Sequence, residues 1–96
     1  MFLLPEIAQQ IVDEINTTIS RDLNIMDHDG IIVASTDAAR VGTLHTVARD
    51  LLKSGMDSYI VRTDDLPSGC RRGINLPITI KGERLGVVGI TGDPAE

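Results

Sequence analysis

Residues 73–91, GINLPITIKGERLGVVGIT, contain two apolar segments on either side of Lys81-Gly82-Glu83. Two extended segments joined by a short turn with a glycine predict an antiparallel hairpin, with strands from Gly73 to Ile80 and from Arg84 to Thr91. Pro77 lies inside the first strand and has no amide hydrogen, so we expect it to face outward or to lie at a bulge. The hairpin supplies two of the five strands that the sequence predicts.

The hydrophobic periodicity before this hairpin predicts three further strands and two helices. In chain order these are a helix over 4–20, strands over 23–26 and 30–34, a helix over 43–54 and a strand over 58–63. Five strands with one crossover helix predict an α+β fold, a five-stranded antiparallel sheet with an N-terminal helix and a crossover helix against it. This arrangement is typical of PAS-like sensor domains, in which a ligand lies between the sheet and the crossover helix.

The first predicted helix carries an apolar stripe that is wider than one small sheet can cover. The stripe continues for over four turns and contains Leu4, Ile7, Ala8, Ile11, Val12, Ile15 and Ile19. An apolar surface of this length is typical of a helix that packs against a partner. We therefore expect a homodimer formed through the first helix.

Composition restricts the class of function. The 96 residues allow one domain, and an apolar fraction of 42% is sufficient for a core. Aromatic residues make up only 2%, which argues against a base-stacking surface for single-stranded nucleic acid. The net charge is −5, with the acidic excess in residues 1–48, so we expect no direct contact with nucleic acid.

Cysteine usage and hydropathy indicate a cytoplasmic protein without membrane association. Cys70 is the single cysteine, which excludes an internal disulfide and a cysteine-based zinc site. The apolar start of the chain lacks the basic region of a signal peptide. No apolar segment approaches the roughly 20 residues that cross a bilayer.

Several short segments follow one another in an order that a known family shares. They are 8–12, 24–27, 30–32, Arg40-Val41-Gly42-Thr43-Leu44-His45, Gly73-Ile74-Asn75-Leu76-Pro77-Ile78 and 86–94. In these segments the chain resembles the N-terminal sugar-diacid recognition domain of the carbohydrate diacid regulators, a family of bacterial transcription factors. The resemblance implies a ligand-sensing domain. Family members usually continue with a further helix and a distant helix-turn-helix region, so we expect the DNA-binding region to be absent from these 96 residues.

The segment from Arg40 to His45 is a candidate anion site. A helix beginning near Thr43 would direct free backbone N–H groups at an anion. Arg40 could bind a carboxylate through its guanidinium, Gly42 would allow close approach, and His45 would donate from the first helical turn. From the residues alone, a solvated arginine, a turn glycine and a surface histidine are an alternative; the resemblance favours the site.

The second candidate segment is Arg71-Arg72-Gly73-Ile74-Asn75. Alternate side chains of a strand can present a charge and an amide on one face, and a glycine leaves room for a ligand. Adjacent arginines point to opposite faces, so one of them would protect an edge strand instead. We assign Arg72, Gly73 and Asn75 to the ligand, with Ser35 adding a hydroxyl from the end of another strand.

Catalytic and metal chemistry are not indicated by any motif. Cys70 and His45 have no nucleophile elbow, oxyanion motif or third orienting residue beside them. The turn Asp27-His28-Asp29-Gly30 lacks the ligand number and the distal glutamate of a calcium site. We expect no enzyme activity, no cofactor and no metal; ester turnover that depends on Cys70 or His45 would indicate a hydrolase instead.

Two functions remain. The leading hypothesis is the sensor domain of a transcriptional regulator, which binds a small hydroxylated carboxylate, such as a sugar diacid or glycerate, without turnover. The alternative is a dimerisation module with a vestigial pocket. A pocket too small or too dry for a carboxylate would favour the alternative.

Overall fold

The computed structural model describes residues 3–63 and 70–92, and its elements follow the predicted order. They are α1 (Pro5–Asn16), β1 (Leu23–Asp27), β2 (Ile32–Ser35), a 3-10 helix (Ala38–Arg40), α2 (Thr46–Ser54), β3 (Tyr59–Val61), β4 (Gly73–Ile80) and β5 (Glu83–Thr91). The strands form one sheet in the order β2-β1-β5-β4-β3, and all neighbours are antiparallel. The predicted α+β class and its five-stranded antiparallel sheet are confirmed.

β5 is the central strand, with β1 and β4 as its neighbours. β4 and β5 pair along their whole lengths. Lys81 and Gly82 form the turn between them with φ angles of 52° and 79°, as the tight turns of hairpins favour. Pro77 lies beyond the residues of β4 that pair with β3, where β4 is itself an edge of the sheet. This position suits a residue that cannot donate to a strand ladder.

One face of the sheet packs against α1. Ala8 and Val12 are buried against Leu23 and Ile25 of β1 and Ala34 of β2. These contacts use only part of the apolar stripe of α1, because the other apolar residues of the helix remain largely exposed. The core on this side therefore lies under β1 and β2, at one half of the sheet.

α1 is shorter than predicted and ends at Asn16 rather than Ser20. The hydroxyl and the amide of Thr17 both donate to the Glu14 carbonyl, at 2.7 and 3.3 Å. A threonine hydroxyl that binds a nearby backbone carbonyl competes with continued helix, so the last turn tightens and the chain leaves the helix.

The opposite face of the sheet packs against α2. Ala48 and Leu51 are fully buried there with Met26 and Val87. α2 ends at Gly55, whose φ of 72° is the left-handed conformation common after a helix. Within residues 3–63 and 70–92, no helix combines the length and the apolar character needed to cross a membrane.

The predicted start of α2 at Thr43 is wrong, because the helix begins at Thr46. The Gly42 amide donates to the Ile32 carbonyl at 2.7 Å, and the Ile32 amide donates to the Thr43 carbonyl at 2.9 Å. A β-bridge between Ile31 and Leu44 continues this pairing. Thr43 and Leu44 are thus held against Ile32 and Ile31, and the helix begins only after them.

The turn Asp27-His28-Asp29-Gly30 is explained by its own hydrogen bonds. Asp27 Oδ1 accepts from the amides of Asp29 and Ile31, at 2.9 and 3.1 Å. Gly30 has a φ of 83° and donates its amide hydrogen to the Asp27 carbonyl. Because Gly30 belongs to the turn and Ile31 forms only an isolated bridge with Leu44, β2 begins at Ile32 and not at Gly30 as predicted.

Leu51→Ala should lower the free energy of unfolding by about 2–5 kcal/mol, because the side chain is fully buried between α2 and the sheet. Leu44→Ala is the matched control, since Leu44 is 41% exposed and should cost markedly less. Urea denaturation followed by circular dichroism measures both. Equal losses would contradict the placement of Leu51 in the core.

Candidate functional site

A small polar cleft lies on the α2 side of the sheet. The residues that line it come from three strands, the segment before β4, the 3-10 helix and the start of α2. They are Asn24, Arg40, His45, Arg71, Gly73, Asn75, Gly89, Ile90 and Thr91. Its volume is about 10 Å³, which is room for about one water molecule. Of the residues selected from sequence, the structure brings Arg40, His45, Gly73 and Asn75 together around this cleft.

The floor of the cleft is a row of three residues on neighbouring strands. Asn24 of β1 and Asn75 of β4 are both register partners of Gly89 on β5. Each asparagine is only 3% exposed. A Cβ on Gly89 would lie 2.8 Å from Asn75 Oδ1, closer than real Cβ atoms come. A glycine is therefore required here for the Asn75 carboxamide to lie on the floor.

Asn24, which the sequence analysis did not select, holds Arg40. The Leu23 carbonyl can only accept a hydrogen bond and the Arg40 guanidinium can only donate one, and together they orient the Asn24 carboxamide. Its Nδ2 then lies 3.2 Å from Leu23 O and 2.6 Å from Ser35 Oγ, and its Oδ1 accepts from Arg40 Nη1 at 3.0 Å. Its position in the sequence could have pointed to this role, because Asn24 is a polar residue inside an apolar strand and such a residue is buried only when it has hydrogen-bond partners.

Arg40 ends the 3-10 helix, which Asp37 caps by accepting a hydrogen bond from the Ala39 amide at 3.1 Å. Burial of the guanidinium, followed by the nearby positive charge of Arg71, lowers the pKa of Arg40. A guanidinium nevertheless remains charged at neutral pH. Two like charges therefore line the cleft, and a bound anion would relieve their repulsion.

Arg71 is among the residues that line the cleft and Arg72 is not, although both are exposed. Arg71 has the same parity as Gly73 and Asn75 on β4, and the chain bends at Arg72 before that strand begins. This parity could be read from the sequence. Gly73 has a packing role as well, since a Cβ there would overlap the backbone of Ile90 on β5.

Two aspartates hold Arg71 at the rim of the cleft. Its Nη1 lies 3.5 Å from Asp22 Oδ2, and its Nη2 lies 3.9 Å from Asp37 Oδ2. All three side chains are about half exposed. Solvent screens such pairs strongly, so each contributes little to stability and a ligand carboxylate could replace an aspartate.

His45 is the N-cap of α2 and is only 5% exposed. Its Nδ1 accepts a hydrogen bond from the Ala48 amide at 3.1 Å, which requires the ring proton to be on Nε2. The predicted place of His45 in the first helical turn is wrong, because the pairing of Thr43 and Leu44 with Ile32 and Ile31 brings His45 to the capping position before the helix. His45 therefore has a structural role in addition to its place in the lining.

Gly42, Thr43 and Ser35 are not among the lining residues. Gly42 has a φ of 91° and open space where a Cβ would be, so backbone conformation and not close approach calls for glycine. The Thr43 hydroxyl donates to the Arg40 carbonyl at 2.7 Å. Ser35 is buried beside Asn24. Thr43 and Ser35 thus contact lining residues from outside the cleft.

The cleft offers groups that suit an oxygen-rich anion rather than a metal or a nucleophile. Within residues 3–63 and 70–92, no group of three or more His, Cys, Asp or Glu side chains could hold a metal ion. Cys70 Sγ lies 4.0 Å from His45 Nδ1, but that nitrogen already accepts the Ala48 amide hydrogen, and Cys70 is 2% exposed. Guanidinium and carboxamide groups, in contrast, bind carboxylates and hydroxyls directly.

Comparison with known proteins identifies the family. Residues 3–96 match the family model described as "Putative sugar diacid recognition". The chain belongs to this family. Its resemblance to the recognition domain of the carbohydrate diacid regulators is thereby confirmed, and a carbohydrate diacid regulator of Escherichia coli (strain K12) is 40% identical over 93 residues.

The alignments with two relatives cover only part of each relative's length. The alignment with the Escherichia coli regulator covers 93% of this chain and 23% of the relative. An uncharacterized protein of Bacillus subtilis (strain 168) is 36% identical over 97 residues, which cover 100% of this chain and 26% of the relative. The chain spans about a quarter of the length of these relatives.

A solved structure supports the PAS-like fold. The crystal structure of the sensor domain of the Vibrio cholerae histidine kinase DctB superposes with a TM-score of 0.68 over 93% of this chain and 37% of that chain. The sequence identity is 22%, so the likeness concerns the fold alone. The predicted PAS-like architecture is confirmed.

His45→Ala should lower the free energy of unfolding by about 0.5–2 kcal/mol, because α2 loses its N-cap. His45→Asn should recover part of the loss, since asparagine also caps helices. The matched control is His28→Ala, whose side chain is 57% exposed in the turn and should change stability by less than about 0.5 kcal/mol. Urea denaturation decides, and wild-type stability for His45→Ala would contradict the capping role.

Proposed function

We propose that residues 1–96 act as one ligand-sensing domain of a transcriptional regulator. Its ligand is a small hydroxylated carboxylate, such as a sugar diacid or glycerate, bound between the sheet and α2 without turnover. The family and the name of the Escherichia coli relative support this ligand class. The domain would act in the cytoplasm without touching DNA itself, as its net charge of −5 favours.

The convergence of Arg40 and Arg71 on one cleft carries the proposal. Each guanidinium can bind a carboxylate through two parallel hydrogen bonds. Beneath them, the carboxamides of Asn24 and Asn75 can both donate and accept, as the hydroxyls of a sugar acid require. Two cations above an amide floor match a ligand with acidic ends and a hydroxylated middle.

Binding requires the cleft to open. A volume of about 10 Å³ is far below the roughly 300 Å³ at which pockets for small organic ligands begin. The ligand would draw Arg40 away from Asn24 and Arg71 away from its aspartates. It can shift the domain to an open state only by its higher affinity for that state.

Arg40→Ala and Arg71→Ala should each weaken ligand binding by roughly 1.5–3 kcal/mol, the usual value of a charge-assisted hydrogen bond. Arg62→Ala is the control, since Arg62 is exposed and outside the cleft lining. A thermal-shift screen with glycerate, glucarate, galactarate and simple dicarboxylates selects the ligand. Acid at ~100 times its dissociation constant should add about 2.7 kcal/mol of stability.

Calorimetric titration of wild type and the three arginine variants then compares affinities. The same affinity in all four proteins would place the site elsewhere. A loss in Arg40→Ala without a loss in Arg71→Ala would show that the cleft binds a single carboxylate, contrary to a diacid that spans both arginines.

A second function, dimerisation through α1, is favoured by an apolar groove between α1 and the sheet. The groove has a volume of about 460 Å³, and its lining is entirely apolar: Leu3, Leu4, Ile7, Ala8, Ile11, Val12, Ile15, Leu23, Ile25, Ile78, Ile80, Leu85 and Val88. A helix that leaves such a surface exposed can pack against its own copy about a two-fold axis. The small cleft would favour a dimerisation module with a vestigial pocket if no carboxylate binds.

Ile11→Asp should convert a dimer into a monomer, because a charge at a residue 44% exposed in the groove opposes burial against a second copy. Gln10→Asp adds the same charge at an exposed neighbour outside the groove and should leave the dimer intact. Sedimentation measures both, with circular dichroism to check folding. A monomeric wild-type protein at high micromolar concentration would end the dimer proposal.

A further inference from the structure

A continuous chain of hydrogen bonds connects α1 to the cleft. Gln9 of α1 pairs with the backbone of Ser35 in both directions. Its Nε2 donates to Ser35 O at 3.0 Å, and the Ser35 amide donates to its Oε1 at 3.1 Å. β2 is an edge strand, so Gln9 satisfies backbone groups that a neighbouring strand would otherwise bind.

Ser35 is connected to Arg40 by two routes. In the first, Ser35 Oγ lies 2.6 Å from Asn24 Nδ2, and Asn24 Oδ1 accepts from Arg40 Nη1 at 3.0 Å. In the second, Ser35 Oγ accepts from the Asp37 amide at 2.9 Å, and Asp37 caps the 3-10 helix that ends at Arg40. Ser35 and Asn24 are both buried, so these bonds are shielded from water.

The neighbours of the Asn24 carboxamide satisfy one orientation. Its oxygen faces Arg40, and its nitrogen faces Ser35 Oγ and the Leu23 carbonyl. In the reversed orientation the oxygen would face the Leu23 carbonyl, which cannot donate, so Leu23 keeps the carboxamide in place even when Arg40 moves. A ligand that draws Arg40 away therefore leaves Asn24 Oδ1 free to accept a hydrogen bond from a ligand hydroxyl.

We propose that Asn24 is the positioning residue of Arg40, and that Ser35 and Gln9 make the energy of this pair depend on α1. The role for the ligand rests on the proposed function, whereas the connection between Gln9 and Arg40 exists in the free protein. By thermodynamic linkage, if the contact between α1 and β2 raises the affinity for the ligand by some factor, ligand binding raises the equilibrium constant for that contact by the same factor.

A double-mutant cycle on stability tests the connection without any ligand. It uses Gln9→Ala, Arg40→Ala and the double variant, with Gln10→Ala replacing Gln9→Ala in a control cycle on the exposed side of α1. Distant and unconnected residues combine to within about twofold in the unfolding equilibrium constant. In the Gln9 cycle, we expect the unfolding equilibrium constant of the double variant to differ about fivefold from the value that the two single variants predict. In the Gln10 cycle, we expect the two values to agree to within twofold.

Calorimetry with glucarate and glycerate supplies the second arm. Gln9→Ala lies outside the cleft, yet it should weaken the binding of the acid that wild type binds by about fivefold or more, with Gln10→Ala unchanged. Asn24→Asp, which can accept but not donate, should hold Arg40 more firmly and weaken binding as well. A helix residue with a merely structural role would alter stability without altering affinity.

The outcomes separate the two proposals. A Gln9 cycle that is multiplicative to within twofold overturns the connection, whatever the ligand does. Wild-type affinity in Gln9→Ala overturns the dependence of the site on α1 while leaving the proposed function intact. Failure of wild type to bind either acid, with a non-multiplicative Gln9 cycle, overturns the proposed function and supports the connection.

Discussion

The absence of a side chain at Gly89 is the constraint on which the cleft depends. Gly89 lies on the central strand, with Asn24 and Asn75 opposite it on either side. A Cβ there would lie 2.8 Å from Asn75 Oδ1, so the Asn75 carboxamide would have to move. Burying a carboxamide without hydrogen-bond partners costs free energy, so both asparagines need partners. Asn75 donates to the Tyr59 carbonyl, and Asn24 accepts from Arg40.

The helices cover the two faces of the sheet to different extents. α2 seals an apolar core against Met26 and Val87, and polar residues appear only where the sheet extends past the start of that helix. α1 covers β1 and β2, and the residues of β4 and β5 on its side, such as Ile78 and Val88, line an open groove. One face thus carries a closed core and a small polar cleft, and the other carries an open groove lined by apolar residues. This division is what the proposed ligand binding on one face and dimerisation on the other would require.

The sequence predicted the fold well because its main signals are local. Alternation and turn residues defined β4 and β5, and the same alternation, applied from Gly73 and Asn75 back to Arg71, would have selected the arginine that lines the cleft. The position of His45 could not be found in this way, since it depends on the pairing of residues 42–44 with β2, which joins distant parts of the chain. Asn24 was missed for a similar reason: its role exists only because Gly89 and Arg40, far along the chain, meet it across the sheet.

The aspartates around Arg71 set a condition on any ligand of the cleft. Asp22 and Asp37 already provide two carboxylates at 3.5 and 3.9 Å, distances longer than a close charge-assisted hydrogen bond. A neutral sugar would gain little from replacing them, because it would leave the arginine with fewer charged partners. A carboxylate that binds Arg71 at closer range would replace the lost negative charge and form a shorter contact. It would also offset the repulsion from Arg71, which is second to burial in lowering the pKa of Arg40. Under the proposed function, a sugar acid would therefore compensate the charge of Arg71 better than an uncharged carbohydrate would, provided that the ligand carboxylate replaces an aspartate and is not repelled by it.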